Sequence, residues 1–545
     1  MIGWIGRFAL ALAAGTMAAA TTAPALTGAL TADQWRQDLH VLAAQIEKVH
    51  PRPFHQVTRS DFEAAVAKLD ASIPSMSDAE IEVAFARLVA MLGEGHSRLT
   101  FAGLPDPMSD VPQIDPVKDD HLAFHRLPLK LYDFSDGVFV TETTPALKDF
   151  IGAEVLAIDG HPTLDVFNAL KPIINRDNDM GARLIAPDLA TVPEVLQALH
   201  LSDDQAGVSL SLRLRDGTTR SLTLPPMATG ADPAWVKPVT DAHALAALSD
   251  SHPEQNLWVR YLTGSHTVFV RINVIQDMPK QTVAQFAAKL DAASALGPVD
   301  RVVIDLRGCR GGDNQKFRAI LLELVRNRKL DGTGAVFVLI DRGVFSAAVN
   351  SASDLERLVN VIFVGEPTAG APNSWGDPHR IVLPNSGLIA RVSTVYWRDW
   401  TNDETRSTIA PDLSTPLASG DYFSGRDPAL ATVMAFPLHP SFETTLVQLV
   451  KSGAGMGTVL RLYYQHKTDP ALVSVSTTTA MEGVGEAFLA RKAYAEAFTA
   501  FAINAHDDPR SLATARAVVE TARKTAPSEP GLADLQQKLE HLTTH

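Results

Sequence analysis

Three stretches of the chain place chemically capable side chains where an apolar run gives way to a turn. In VFVLIDRGVFSAAV (336–349) an apolar strand delivers Ser346 to the start of a helix, next to Ala347 and Ala348. A nucleophilic hydroxyl needs that setting: small neighbours, a positive helix end, and a following backbone N–H aimed at the developing oxyanion. A plain N-cap would look the same, and this segment alone favours that plainer role. RVVIDLRGCRGGD (301–313) ends a strand on Asp305 and enters a glycine-rich turn. Glycines there let backbone N–H groups approach a ligand closely and form one half of an oxyanion hole. A phosphate loop does not fit, because no G-K-[ST] follows and the chain is acidic. VIFVGEPTAGAPNSWGDPHRIVLPN (361–385) is a strand followed by a polar loop with prolines and glycines, suited to border a cleft.

Other reactive residues carry weaker signals. His121 and His125 lie four apart but lack the glutamate of H-E-x-x-H and run into a proline-containing strand, so they read as loop residues. His50 and His55 sit among prolines, where structural roles fit better than metal ligation. His379 is a reserve base in the loop after Ala371. Cys309 reads as a small buried residue, since no activating partner stands near it in sequence. GAGMG (453–457) follows no strand and is too short for a dinucleotide site.

These residues must be positioned by several units. A chain of 545 residues predicts about three or four domains. Its 48 basic and 62 acidic residues give a net charge of −14, and no block of Lys or Arg could track a phosphate backbone, so nucleic acid is not expected as a partner. The single cysteine rules out an intramolecular disulfide and any multi-thiolate metal site. Arg7, the apolar run 8–20 and Ala23-Pro24-Ala25 have the form of a secretory signal over 1–25. The run is too short for a firm bilayer anchor, so the expected location is periplasmic or extracellular, with no stable membrane anchor.

Helical spacing predicts a three-helix bundle over 30–100, with Thr31 and Ser60 as N-caps and a capping box at Ser77–Glu80. Short alternating strands predict a β-rich domain over 125–225, followed by a Pro/Ala/Asp-rich linker over 226–256. Strands and helices alternate over 257–438, and the strands are near-continuous apolar runs, which predicts an α/β core covered on both faces. The region 440–545 is Ala-rich and helical. Within it, 483–509 has the spacing of one tetratricopeptide-like pair, although a plain helical cap fits better. The fold class is therefore multidomain α+β.

Taken together, DLRGCRGG (305–312), FSAA (345–348), GEPTAG (365–370), LPNSG (383–387), APDL (410–413) and GRDPAL (425–430) resemble the C-terminal processing, or tail-specific, peptidases, in the wider group that includes the tricorn core protease. HPRPF (50–54) and GEGHS (93–97) look like that family's N-terminal region, and GAEVLAIDG (152–160) resembles its PDZ-like domain. The resemblance implies a ClpP/crotonase-like core with Ser346 as nucleophile and an oxyanion hole from Gly311, Gly312 and Ala347. Many members pair the serine with a lysine 25 residues downstream, but here that position is Ala371, so a Ser–Lys dyad is absent. The tricorn-like branch takes histidine as base, which corresponds to His96, and a glutamate as its orienting partner. Glu404 is the candidate for that third role and Asp403 its close rival.

The implied function is an exported serine endopeptidase that acts on proteins or peptides through an acyl-enzyme and needs no cofactor. The rival is a catalytically silent peptide-binding protein that keeps the fold, a reading motivated by the missing lysine.

Overall fold

The computed structural model describes residues 30–109, 122–203, 207–238, 248–327, 334–398, 401, 404–470, 472 and 476–542. The signal-like residues 1–25, His121 and Asp403 lie outside them.

The N-terminal bundle comprises α1 (Ala32–Val49), α2 (Arg59–Ser72) and α3 (Asp78–Ala90). Thr31 and Ser77 each close a capping box. The cap of α2 is Thr58, not the expected Ser60: its hydroxyl accepts the Asp61 N–H at 3.1 Å, which starts the helix two residues earlier. Trp35, Leu39, Leu42 and Ile46 follow the i, i+4, i+7, i+11 stripe of α1 and are buried with Phe62 and Phe85. Beyond the bundle a short strand, β1 (Arg98–Thr100), follows the GEGHS turn.

Six strands, β2 (Leu129–Phe134), β3 (Gly137–Thr143), β4 (Glu154–Ile158), β5 (His161–Pro162), β6 (Val208–Arg213) and β7 (Thr219–Leu224), form an antiparallel sheet. Its order is β2-β3-β4-β6-β7, with β5 folded back on β4. Helices α4 (Thr163–Leu170), α5 (Asp179–Leu189) and α6 (Pro193–Ala198) fill the connection between β5 and β6.

The core sheet has the order β17-β12-β11-β10-β9-β8. Its strands are β8 (Leu257–Leu262), β9 (Thr267–Ile272), β10 (Arg301–Asp305), β11 (Val336–Ile340), β12 (Val361–Gly365) and β17 (Leu413–Ser414); all are parallel except β8 at one edge. Every residue of β10, β11 and β12 is buried, because alternate side chains meet different layers. Val302, Ile304, Val336 and Val338 face α7 (Val283–Ser294), α8 (Asn314–Arg326) and α9 (Ala347–Leu358). Val303, Phe337, Leu339 and Ile362 face the C-terminal helices. Those helices are α10 (Ser419–Phe423), α11 (Pro428–Ala435), α12 (Phe442–Lys451), α13 (Met456–Thr468), α14 (Thr478–Ala490), α15 (Tyr494–Asp507), α16 (Ser511–Thr525) and α17 (Pro530–His541). Helices α14 and α15 make up the tetratricopeptide-like stretch, and the Phe501 ring packs where a Cβ on Gly485 would stand.

Between β12 and β17 the chain forms an arm of four short strands. Strand β13 (Asn373–Gly376) pairs with β16 (Val395–Arg398), and β14 (His379–Val382) pairs with β15 (Ile389–Val392). Strand β1 adds antiparallel to β15, in register Arg98↔Arg391. This pairing carries the GEGHS turn to the core.

Several quoted motifs are fasteners. In LPNSG, the Asn385 and Ser386 N–H groups donate to the Asp38 carboxylate of α1 at 2.9 and 2.7 Å. In APDL, Asp412 accepts the Phe363 N–H and pairs with Arg461 of α13. In GRDPAL, Asp427 caps α11 and takes Arg307 in two hydrogen bonds. Arg342, almost fully buried, grips Glu366 and donates to the Asp133 carbonyl of β2, which locks the β-rich unit to the core. Among the described residues no helix is long and apolar enough to cross a membrane.

Candidate active site

The turns after β10, β11 and β12 all leave the carboxyl edge of the parallel sheet, where α/β proteins bind ligands. The turn after β11 ends on Ser346, which has φ +52° and ψ −131°, a conformation that costs a non-glycine residue on the order of 1–3 kcal/mol. Ser346 occupies the N-cap position of α9, yet its side chain makes no capping hydrogen bond. The plainer N-cap role therefore does not account for it. The strained turn lifts the hydroxyl off the strand end, in the manner of the nucleophile elbow of α/β hydrolases.

Gly311 comes up against this serine. A Cβ on Gly311 would stand 2.8 Å from Ser346 Cβ, 3.2 Å from its Oγ and 3.0 Å from the Ala347 nitrogen. Its φ of +128° lies in a region that favours glycine. The Gly311 carbonyl accepts the Ile275 N–H at 2.9 Å, so across the trans peptide the Gly312 N–H points away from Ile275. Ala347 is the first residue of α9 and its N–H has no acceptor within the helix. Neither N–H donates to another group among the described residues. Gly311, Gly312 and Ala347 thus form a backbone rim around the Ser346 hydroxyl with two unspent donors. Cys309, in the same turn, is buried with its Sγ 3.8 Å from the Gly311 carbonyl oxygen.

His96 reaches the same place from 250 positions away in sequence. The β1–β15 pairing brings its turn in, and Ser97 and Ser393 fasten it: the Ser393 N–H donates to Ser97 Oγ at 2.9 Å, and Ser393 Oγ to Glu94 at 2.8 Å. The imidazole stacks on the Phe345 ring, centroids 4.3 Å apart and planes 25° from parallel. Its Nδ1 is buried and has no hydrogen-bond partner among the described residues. Burial pulls the His96 pKa down to about 4, against the upward pull of the Glu94 charge, so the ring is neutral at ordinary pH. No direct hydrogen bond joins His96 to Ser346 among the described residues.

Glu404 is held elsewhere. Its carboxylate accepts from Arg406 Nε at 2.9 Å, and Arg406 in turn clasps Glu356 near the far end of α9. The structure does not bring Glu404 into contact with His96. The carboxylate whose charge acts most strongly on the imidazole is Glu94. Burial opposes the charge on Glu94, but the neighbouring His50, Ser97 and His96 and the Ser393 hydroxyl hold its pKa below the usual carboxylate value. His50 Nε2 lies 3.6 Å from Glu94, and the His50 ring packs 4.3 Å from that of Trp375 in β13. His55 joins the same aromatic cluster, His125 bonds Glu194 and Thr229, and His379 is exposed on β14.

Sequence reasoning missed Glu94, although it lies inside the GEGHS motif, and it missed Asp177 entirely. Asp177 Oδ1 accepts the Gly95 N–H at 2.7 Å and its Oδ2 the Ala371 N–H at 3.2 Å. Nothing local to N-R-D-N-D-M announces partners from two distant segments. No group of three or more His, Cys, Asp or Glu suited to a metal occurs among the described residues.

No family model and no curated protein matches the sequence. Solved structures do. The structure of mature CPAF complexed with lactacystin matches with a TM-score of 0.52 at 14% identity, over 74% of this chain and 97% of that chain. Mature CPAF by itself gives a TM-score of 0.50 at 13% identity, over 77% and 99%. The photosystem II D1 C-terminal processing protease gives 0.34 at 14% identity, over 74% and 97%. At such identities the likeness is one of fold. The chain has the fold of mature CPAF.

Proposed function

We propose that this chain is an exported serine endopeptidase that cleaves proteins or peptides through an acyl-enzyme. The observation that carries the reading is the strained, uncapped Ser346 between the Gly311 turn and the Ala347 N–H. Ser346 Oγ attacks the scissile carbonyl carbon while His96, neutral above about pH 4, accepts the hydroxyl proton. The tetrahedral oxyanion receives the Gly312 and Ala347 N–H groups. Collapse breaks the C–N bond, and the amine leaves with the proton from His96. A water then repeats the sequence on the acyl ester and frees the carboxylic acid and Ser346. The imidazolium that forms in between is stabilised by Glu94, which takes over the part first given to Glu404. No cofactor enters these steps. The β-rich unit is the proposed PDZ-like peptide-presenting domain, and the signal-like N-terminus supports an exported location.

The test uses the purified full chain with a serine-reactive fluorophosphonate and a casein-type substrate, beside Ser346→Ala and His96→Ala. CPAF has been captured with lactacystin, which makes lactacystin a second probe. Labelling and cleavage should vanish in Ser346→Ala and drop by at least about 10³-fold in His96→Ala. Labelling that survives Ser346→Ala would remove the nucleophile. Wild-type protein inert from pH 5 to 9 would favour the silent peptide-binding reading.

A further inference from the structure

The segment between α4 and α5 belongs to the β-rich unit, yet its polar groups are spent on the active-site turns. Asp177 bridges Gly95, the residue before His96, and Ala371, in the loop after β12. Its neighbour Asn178 caps α5 through Oδ1, and its Nδ2 donates to the carbonyls of Thr368, Ala369 and Ser407 at 3.1, 3.0 and 2.6 Å. Space around Gly95 is closed from two sides: a Cβ there would stand 2.8 Å from the Phe345 ring and 3.4 Å from Asp177 Oδ1. We infer that Asp177 is a positioning residue, which fastens the His96 turn to the loop beside Ser346 and so sets where the imidazole stands. The inference rests on the serine-peptidase reading above.

The bridge needs the carboxylate. Ionised, Asp177 offers two acceptor oxygens to two N–H groups; protonated, it turns one oxygen into a donor and gives up one bond. Burial, with the Glu94 charge adding to it, raises its pKa to about 7. Glu94 stands across from it, paired with His50 and Ser393, and the neighbouring His96 is neutral. On its own segment, Arg176 turns to the carbonyls of Lys171 and Ile174 and stands 3.8 Å from Asp179. The ionised bridge is therefore complete above about pH 7 and half lost near it.

The experiment compares wild type, Asp177→Asn and Asn178→Ala for the rate of Ser346 labelling by a small fluorophosphonate, for kcat and KM on a peptide, and for pH dependence from 5.5 to 9. Wild type should show a rate rising with an apparent pKa near 7. Asp177→Asn should lack that rise, run about 10- to 100-fold slower at pH 8, and lose kcat rather than KM, as small misplacement of a base predicts. Asn178→Ala should loosen docking yet keep the rise. The inference is overturned if Asp177→Asn keeps the wild-type rate or the rise near pH 7, or if its loss lies in KM alone. Should Asp177→Asn not fold, a wild-type profile with no inflection between pH 6 and 8 overturns it by itself. Failure of wild type to label at Ser346 sinks the peptidase reading and this inference together. Wild-type labelling that depends on His96, with Asp177→Asn unchanged, sinks the inference alone.

Discussion

The imidazole of His96 lies on the ring of Phe345, the residue immediately before Ser346, with 4.3 Å between ring centroids. An apolar platform of this kind fixes the tilt of the imidazole and keeps water from its face. It is also the reason the ring is held neutral, since the same burial that packs it makes its charged form costly.

Gly95→Ala tests the platform. The new methyl would press on the Phe345 ring, and such overpacking costs about 1–3 kcal/mol. Chemical denaturation should show that loss, and labelling of Ser346 should slow by more than stability accounts for.

Gly311→Ala tests the oxyanion rim. A Cβ there meets Ser346 and the Ala347 nitrogen, in a backbone conformation alanine resists. We expect kcat to fall by about 10²-fold or more with KM little changed, read by steady-state kinetics on a folded variant.

Glu94→Gln and Glu404→Gln separate two carboxylates. Glu94 lies buried near His96, so on the proposed mechanism its neutralisation should lower kcat by about 10-fold or more. Glu404→Gln should loosen the Arg406 clasp and lower the melting temperature, with a smaller effect on kcat. The reverse order of kcat effects would return the orienting role to Glu404.

Asp177 also predicts a trend in stability, of opposite sign to its effect on rate. Its folded pKa, about 7, is above the ordinary aspartate value, so between the two the folded chain binds more protons than the unfolded one. The stability Asp177 contributes is full below the unfolded value and lost as pH rises through about 7. Denaturation midpoints at pH 5 and 8 should therefore diverge more in wild type than in Asp177→Asn.

Arg342→Ala would leave Glu366 buried without its partner and cut the tie to Asp133. A loss of about 3–5 kcal/mol is expected by denaturant titration.

Much of the fold was legible because its signals are local. The Ser77–Glu80 capping box and the buried runs 301–305, 336–340 and 361–365 carry their structure in their own spacing. The strand β1 and the arm β13–β16 were not legible, since three- and four-residue strands become strands only by pairing, and β1 finds its partner about 290 residues away. Helix α5 escaped because Gly181 and Pro187 interrupt it. At the site, Ser346 and the glycine turn stood out as side-chain and backbone chemistry on one strand end each. Asp177 did not, because what it binds is backbone, and backbone has no sequence signature.

The Ser97–Ser393 contact spans 296 positions of chain. At a synthesis rate of about 5–20 residues per second, the histidine turn therefore waits on the order of 15–60 s for the serine that anchors it. During that interval the His96 turn has no anchor on β15 or Ser393, even after Ser346 has been made. A chain cut short before the arm is complete is left in the same state. The strand addition thus ties the placing of His96 to the synthesis of β15 and Ser393.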